Sequence, residues 1–167
     1  MKNYLALLRG INVGGNNLIP MGELRRVASE AGFHEVSSYI QSGNLIFKAE
    51  GDEEDLARQL ERVIEAAFGR SVGVVVFEGS RWKKIIASAP EKWGSDTSLK
   101  HNIIAILDRD PLELAAQDPD LENYVMGDQV VFQSLDHGYQ PKPAPKAIQQ
   151  RVTVRNSNTA KRLADLL

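Results

Sequence analysis

The chain has 167 residues, of which 43% are hydrophobic and 25% charged, a composition that suits one ordinary domain or two very small packed ones. It contains no cysteine, which excludes disulfide bonds, thiolate zinc sites and cysteine nucleophiles. Because no apolar run approaches the roughly 18 residues of a membrane span and the N-terminus has no signal-peptide pattern, we expect a cytoplasmic protein without a membrane partner.

The net charge of −2 conceals a basic C-terminal segment, residues 137–164, that contains no Asp or Glu. Its positive charges, which make the segment +6 and leave −8 on the remainder, are Lys142, Lys146, Arg151, Arg155, Lys161 and Arg162. Such a segment can meet phosphate or nucleic acid. We favour its pairing with the acidic remainder, because charge runs are usually solvated faces and the pI is near 5.9.

The first apolar run, Tyr4 to Leu8, predicts a central strand that leads into a loop rich in glycine and asparagine, Arg9 to Asn17. Both residue types tolerate the left-handed backbone region, so the loop can turn several N–H groups toward one point. Such a loop can bind an anion, or it can be only a wide connection. It is neither a Walker A motif nor a GxGxxG fingerprint.

The first half of the chain continues with alternating helical and strand patterns. The predicted elements are a strand at 4–8, a helix after Pro20, strands at 36–41 and 44–49, a helix at 52–68 and a strand at 72–77. Ser42-Gly43 between two of these strands predicts a tight two-residue hairpin turn. The strand at 72–77 is apolar on both faces, which predicts an inner position in the sheet.

The second half repeats the pattern without repeating the residues. Its predicted elements are a linker helix from Ser80, a strand at 101–107, a helix from Asp110, strands at 122–126 and 129–134, a short helix at 146–150, a strand at 152–154 and a final helix capped by Asn156 or Ser157.

Each half therefore reads β-α-β-β-α-β, the order of the ferredoxin-like, or split βαβ, unit. We predict an α+β protein of two tandem ferredoxin-like units, residues 1–79 and 80–167, with antiparallel sheets and helices packed on one face. The units can also pack as a single compact domain. The competing fold is one larger mixed sheet with helices on one face.

In this unit the third strand returns between the first two, so the loop after strand one and the hairpin before strand three share one edge of the sheet. A guanidinium, several amides and a hydroxyl at that edge would suit a phosphate, a carboxylate or a polar ring. The candidate ligand-binding residues there are Arg9, Asn12, Gly14, Gly15, Asn16, Tyr39, Gln41, Ser42 and Asn44. Alternatively, turn chemistry alone explains the amides, and Arg9 is a surface charge or pairs with Glu35.

No other chemistry stands out in the sequence. His34, His101 and His137 are scattered without metal-ligand spacing, and there is no Gly-x-Ser-x-Gly elbow or prominent pair of carboxylates. We therefore predict neither a metal nor a cofactor, and no catalytic residue can be assigned.

Three motifs carry a resemblance to a known family: Leu8-Arg-Gly-Ile-Asn-Val-Gly-Gly-Asn16, Tyr39-Ile-Gln-Ser-Gly-Asn44, and Thr153-Val-Arg-Asn156 with Thr159. In this order they resemble the bacterial domain of unknown function 1697 family over nearly the whole chain. The resemblance implies a cytoplasmic α+β protein with duplicated ferredoxin-like halves, and it supplies no substrate or mechanism. The family signature carries over to Arg9, Gly10, Asn12, Gly14, Gly15, Asn16, Tyr39, Gln41, Ser42, Gly43, Asn44, Arg155, Asn156 and Thr159.

The third motif departs from the family at Ser157, where the family usually has Trp. If that indole stacks on a ligand in the family, binding by this chain is weaker or different. Arg155 and Asn156 precede the last predicted helix, a position where anions bind. We predict that Arg155 faces the same cleft as Arg9, which makes a two-arginine anion site, and we include Asn156 in that site.

These patterns favour a binding protein for a small anionic or phosphorylated ligand, including nucleotide-like ones, at the Gly/Asn-rich loop edge. The hypothesis of an enzyme in the same cleft stays open. In such an enzyme the arginines would stabilise charge, and Tyr39 or an acidic residue would move protons. A nucleic-acid-binding module on the basic segment is the third hypothesis, and the acidic pI argues against it. The sequence does not determine the oligomeric state.

Overall fold

The computed structural model describes residues 1–15, 17–109 and 124–167. The strands within these ranges are β1 (Lys2–Leu8), β2 (His34–Ser38), β3 (Asn44–Ala49), β4 (Val74–Glu78), β5 (Leu99–Ile106), β6 (Tyr124–Met126), β7 (Val130–Asp136) and β8 (Val152–Asn156). The helices are α1 (Met21–Glu30), α2 (Glu53–Phe68), α3 (Gly79–Ala87), α4 (Lys146–Gln149) and α5 (Ser157–Leu166). The helix predicted from Asp110 lies outside the described residues.

The described strands form two four-stranded antiparallel sheets with the orders β2-β3-β1-β4 and β6-β7-β5-β8. The helices and antiparallel sheets together make an α+β architecture, as predicted. β1 pairs with β3 on one side and with β4 on the other, which confirms its central position. Because β3 is antiparallel to both β1 and β2, it returns between two parallel strands.

The chain divides into two compact units. Unit 1 comprises Met1–Lys83 with Leu163–Leu167, and unit 2 comprises Lys84–Arg162. The carbonyl of Leu167 accepts a hydrogen bond from the Asn3 side chain at 3.0 Å. This contact helps to hold the last five residues in unit 1, whereas the sequence pattern assigned them to the second half.

The helices of unit 1 form because their apolar stripes cover one face of the sheet. Leu24 of α1 and Leu60 of α2 are fully buried, in one core with Tyr4, Ala6 and Leu8 of β1. The predicted bounds of α2 are confirmed by its ends. Its N-terminus is capped by Asp52, which accepts from the N–H of Asp55 at 2.8 Å, and Gly69 ends it in the left-handed conformation.

The opposite face of this sheet is buried as well. Leu5 and Leu7 of β1 are fully buried, and Trp82 of α3 packs on Phe77 of β4 with ring centroids 5.1 Å apart. The prediction that helices pack on one face therefore holds for α1 and α2, while α3 contributes to the other face.

The inner position predicted for the strand at 72–77 is wrong. β4 stands at the end of the sheet order and, among the described strands, pairs only with β1. Its side chains are apolar on both faces because Val74 and Val76 join the α1–α2 core while Phe77 packs on Trp82. Burial of both faces, and not a central position, explains the pattern.

Unit 2 has its own core beneath β5 and β7. Trp93 packs edge-on against Phe132 at 5.1 Å, and its indole N–H donates to the carbonyl of Asn102 at 2.8 Å. Asn156 caps α5, because its Oδ1 accepts from the N–H of Thr159 at 2.8 Å. No helix in the described ranges has the length and apolar character that crossing a membrane requires.

Candidate functional site

The loop after β1 is held against the β2–β3 hairpin by the side chain of Asn12. Its Nδ2 donates to the carbonyl of Gln41 at 2.8 Å and to that of Ile19 at 3.0 Å, and its Oδ1 accepts from the N–H of Ile19 at 2.8 Å. Loop and hairpin therefore lie together at one edge of the sheet, where the strand order placed them. The Asn12 carboxamide is used to build this edge.

The predicted two-residue turn at Ser42-Gly43 is wrong. β2 ends at Ser38 and β3 begins at Asn44, so the connection is residues 39–43. Ile40 has φ 52°, which takes the chain out of the extended conformation before the pairing can continue. The fully buried Asn44 then donates from Nδ2 to the carbonyl of Tyr39 at 2.9 Å and to Oγ of Ser42 at 3.1 Å.

Gly43 closes the hairpin against the end of β1. Its carbonyl accepts from the N–H of Leu8 at 2.8 Å, and its φ is 83°. A Cβ at this position would lie 2.9 Å from Cβ of Leu8 and 2.9 Å from the side chain of Ile11. Both the backbone conformation and the packing therefore require glycine here.

Gly14 and Gly15 are exposed and adopt φ 59° and 76°. No heavy atom lies within 4 Å of a Cβ built on either residue, so the left-handed backbone alone favours glycine in this part of the loop. Asn16, the next predicted site residue, lies outside the described residues.

A third segment, residues 69–73 before β4, reaches the same edge and was missed in the sequence. The N–H of Arg9 donates to the carbonyl of Gly73 at 2.8 Å, and Nη1 of Arg70 donates to Oδ1 of Asn17 at 3.1 Å. Asn17 in turn donates to the carbonyl of Gly10 at 3.2 Å. The pairing of β4 with β1 is the signal that could have identified this segment, because antiparallel strands bring the start of one to the end of the other.

Two arginines belong to the segments of this edge. The three segments, residues 9–20, 39–43 and 69–73, contain Arg9 and Arg70 and no Asp or Glu. Arg25 of α1 adds a third guanidinium, which donates to Oγ of Ser38 beside the hairpin at 2.6 Å. Glu35, considered as a partner of Arg9, forms an ion pair with Lys48 at 2.7 Å. We call the described residues of these three segments the loop edge.

The third sequence motif has structural contacts inside unit 2. Arg155 is buried, and its Nη1 donates to Oγ1 of Thr153 and to the carbonyl of Val154, both at 2.9 Å. Burial lowers the pKa of Arg155 to about 10, because the charged form is favoured less away from water. Asn156 caps α5 through Thr159. The predicted meeting of Arg155 with Arg9 in one cleft stays a prediction.

Two further cations of the basic segment are also engaged. Arg151 binds Asp108 with two hydrogen bonds, Nε to Oδ2 at 2.8 Å and Nη2 to Oδ1 at 2.6 Å. Lys161 donates to the carbonyl of Gly94 at 3.3 Å, and its Nζ lies 5.7 Å from the ring centroid of Trp93. The Arg151–Asp108 pair agrees with the expected pairing of the segment with the acidic remainder, whereas Lys161 contacts a carbonyl and an aromatic ring.

In both units, two equivalent backbone hydrogen bonds are formed by the residues at the end of the central strand. In unit 1 these bonds are Leu8 N to Gly43 O and Arg9 N to Gly73 O, both 2.8 Å. In unit 2 the corresponding bonds are Ile106 N to Gln129 O at 3.0 Å and Leu107 N to Arg151 O at 2.8 Å. The Asp108–Arg151 ion pair joins the residues after the end of β5 to the residue before the start of β8 in unit 2, where unit 1 has its glycine-rich loop.

The described ranges contain no group of three His, Cys, Asp or Glu side chains placed to hold one metal ion.

The fold and the loop edge define an α+β protein whose first sheet ends in an arginine-containing, glycine-rich edge. Residues 1–132 match the sequence profile of the family described as "Protein of unknown function (DUF1697)", and the chain belongs to this family. Its structure is similar to that of the conserved bacterial protein SP0830 from Streptococcus pneumoniae, with a TM-score of 0.81. The two chains are 22% identical, and the match covers 99% of this chain and 98% of the other. At this identity the likeness establishes a shared fold alone. The search of curated proteins found no match.

Proposed function

We propose that the protein binds a small anionic or phosphorylated molecule at the loop edge. The observation that carries the proposal is the convergence of three segments that contain Arg9 and Arg70 and no carboxylate. Guanidinium groups recognise phosphate through paired N–H donors, and oppositely charged groups nearby would compete for them. An anion at this edge would therefore be recognised by the guanidinium groups of Arg9 and Arg70.

The construction of the edge supports a binding role. The carboxamide of Asn12 and the carbonyls of Gly43 and Gly73 tie the loop to two other segments of a four-stranded sheet. Binding groups on loops that a rigid sheet supports lose less conformational freedom when they meet a ligand. The exposed Gly14 and Gly15 let a ligand approach the backbone closely.

Two further proposals concern the fold and the cellular location of the protein. We propose that residues 1–79 and 80–167 are duplicated ferredoxin-like units, which the matching strand orders and the matching backbone bonds support. A cytoplasmic location is compatible with a chain that lacks cysteine.

The experiment measures binding by isothermal titration calorimetry with inorganic phosphate and with phosphate esters. Arg9→Gln and Arg70→Gln each remove one guanidinium from the loop edge. Arg26→Gln is the matched control, because Arg26 is exposed on α1 and pairs with Glu23 and Glu30. Thermal denaturation of each variant establishes that it is folded. Phosphate esters incubated with the protein are then analysed by ³¹P NMR, which would reveal an enzyme in the same site.

We expect the wild-type protein to bind at least one phosphate compound, and each loop-edge variant to bind it about ten-fold more weakly. The Arg26 variant is expected to bind like the wild type. Binding should also weaken as salt concentration rises, because exposed charges are screened. If no phosphate compound binds, or if all three arginine variants bind equally well, the loop edge is not an anion site.

A further inference from the structure

Apolar side chains are exposed on the same loops as the arginines. Val13 and Leu18 of the β1–α1 loop are 63% and 61% exposed, and Ile40 of the hairpin is 50% exposed. Single exposed apolar residues are ordinary on protein surfaces, whereas a group of them marks a binding surface. The relevant question is whether these three form a group.

The hydrogen bonds of Asn12 join the backbone next to these three residues. Val13 follows Asn12 in the chain, Leu18 precedes Ile19, and Ile40 precedes Gln41. Because the Asn12 side chain bonds to both Ile19 and Gln41, each exposed apolar residue is the chain neighbour of a member of one hydrogen-bonded cluster. The loop edge therefore carries three exposed apolar residues, Val13, Leu18 and Ile40, which we call the apolar patch.

We infer that the ligand of this site is a nucleoside phosphate. Its phosphate group meets Arg9 and Arg70, and its base lies against the apolar patch. This inference rests on the proposed function, since it specifies which chemical group is attached to the phosphate that the loop edge binds. The positively charged arginines favour a negatively charged phosphate group. The exposed aliphatic side chains favour a ligand that also has an apolar face to bury.

A nucleobase fits the mixture of groups better than an alkyl chain or a bare sugar. A base has two apolar faces and a rim of donors and acceptors, and aromatic side chains commonly stack on such faces. The hairpin offers the partly exposed ring of Tyr39 and the exposed carboxamide of Gln41 beside Ile40. An alkyl chain would leave that carboxamide without a role, and a sugar would leave the aliphatic side chains in water.

The experiment compares ligands that differ only in the part beyond the phosphate. Isothermal titrations of the wild-type protein use inorganic phosphate, ribose 5-phosphate, n-hexyl phosphate and the four nucleoside 5′-monophosphates. The variants Val13→Ser, Leu18→Ser and Ile40→Gly remove the patch one side chain at a time. Glycine is chosen at position 40 because it adopts φ 52° without strain, so the variant keeps the hairpin. Met126→Ser is the control, since Met126 is 54% exposed in unit 2.

We expect at least one nucleoside monophosphate to bind about ten-fold more tightly than ribose 5-phosphate. Each patch variant should lose about five-fold in affinity for that nucleotide and keep its affinity for inorganic phosphate, because only apolar contact is removed. The control variant should match the wild type.

The outcomes separate this inference from the proposed function. If ribose 5-phosphate or n-hexyl phosphate binds as tightly as every nucleotide, and the arginine variants weaken that binding, the anion site stands and the nucleoside is overturned. If the patch variants bind nucleotide like the wild type, the base does not lie on the patch and the inference fails. If sedimentation shows a dimer that the patch variants dissociate, a second copy of the chain covers the patch, which also overturns it. If nothing binds, both proposals fail.

Discussion

The side-chain nitrogen of Asn12 lies 2.8 Å from the carbonyl oxygen of Gln41, a residue 29 positions further along the chain. This bond joins the loop after the central strand to a hairpin that the strand order brings alongside it. The same side chain also makes two bonds to Ile19, so one carboxamide joins the start of the loop to its last residues before α1 and to the hairpin. Asn12 therefore organises the loop edge, and its own donors are already used.

Replacing Asn12 by glycine should destabilise the protein. Glycine keeps the left-handed backbone that Asn12 adopts at φ 55°, so the change removes the side-chain hydrogen bonds with little added strain. We expect the free energy of unfolding, measured by urea denaturation, to fall by about 3 kcal/mol, given roughly 1 kcal/mol for each of the three hydrogen bonds.

Asn17→Gly is the control for this prediction. Asn17 also has a left-handed backbone, at φ 49°, but its side chain is exposed and its bonds are longer, at 3.1 and 3.2 Å. The loss should be about half as large, because exposed groups exchange a protein partner for water. Equal losses for the two variants would contradict the organising role of Asn12.

A methyl group added at Gly43 should destabilise the protein far more than one added at Gly14. Both glycines have positive φ, so alanine costs about 1 kcal/mol of backbone strain at either position. At Gly43 the new carbon would also lie 2.9 Å from Cβ of Leu8, which is fixed in its strand, whereas at Gly14 the space is open. We expect losses of about 3 kcal/mol and about 1 kcal/mol in chemical denaturation. Similar losses would show that the hairpin can move away from β1.

The burial of Arg155 predicts a pH dependence in a comparison with Arg155→Met. Burial lowers the pKa of the guanidinium from its ordinary value to about 10, so between these two values the unfolded chain binds more protons than the folded protein. Stability due to Arg155 therefore rises as pH increases through that window, and the penalty of burial is present in full below it.

The measurement is urea denaturation of wild type and Arg155→Met at a series of pH values. The wild-type protein should gain about 1 kcal/mol relative to the variant between about pH 9 and pH 11. Titration of the lysines and tyrosines cancels in this difference. A difference in unfolding free energy that is constant over the range would mean that the guanidinium keeps its ordinary pKa when folded.

The Asp108–Arg151 pair should show measurable coupling in a double-mutant cycle. The pair is bidentate and partly buried, with the Asp108 and Arg151 side chains 44% and 31% exposed. Its coupling free energy should therefore exceed that of ordinary surface ion pairs. We expect a coupling free energy of about 1 kcal/mol from the alanine variants, against about 0.4 kcal/mol for the more exposed Arg26–Glu30 pair on α1. Both values should shrink in about 1 M salt. Equal coupling for the two pairs would contradict the prediction.

Much of the fold follows from local patterns. The apolar stripe and the end residues of α2 predict that helix to within a residue, because Asp52 and Gly69 supply the bonds and the backbone conformation that its ends need. The strand at 44–49 is predicted without error for a similar reason, since its alternating side chains meet a buried face. The pattern of β4 misleads because a sequence records burial of both faces and does not record which strands are neighbours.

The position of the candidate residues in the fold was predicted where topology alone brings them together, and it was missed where tertiary contacts decide. Strand order was sufficient to place Asn12 beside the hairpin. The end of β2 was placed three residues late, because Tyr39 to Gln41 are β-prone in sequence but leave the sheet when the buried Asn44 bonds to the Tyr39 carbonyl. Arg70 follows a helix end and carries no local signal, so only the pairing of β4 with β1 brings it to the edge.

The paired backbone bonds at the ends of β1 and β5 have a consequence for how this chain can change. Each pair of bonds is made by main-chain atoms, so side chains around it can change, except at Gly43, where the backbone and the packing require glycine. The connections of one unit can therefore change while the other unit keeps its Asp108–Arg151 ion pair. For protein engineering, the same property offers a ready host position: a loop transplanted from the end of β1 to the end of β5 would find the anchoring bonds already formed.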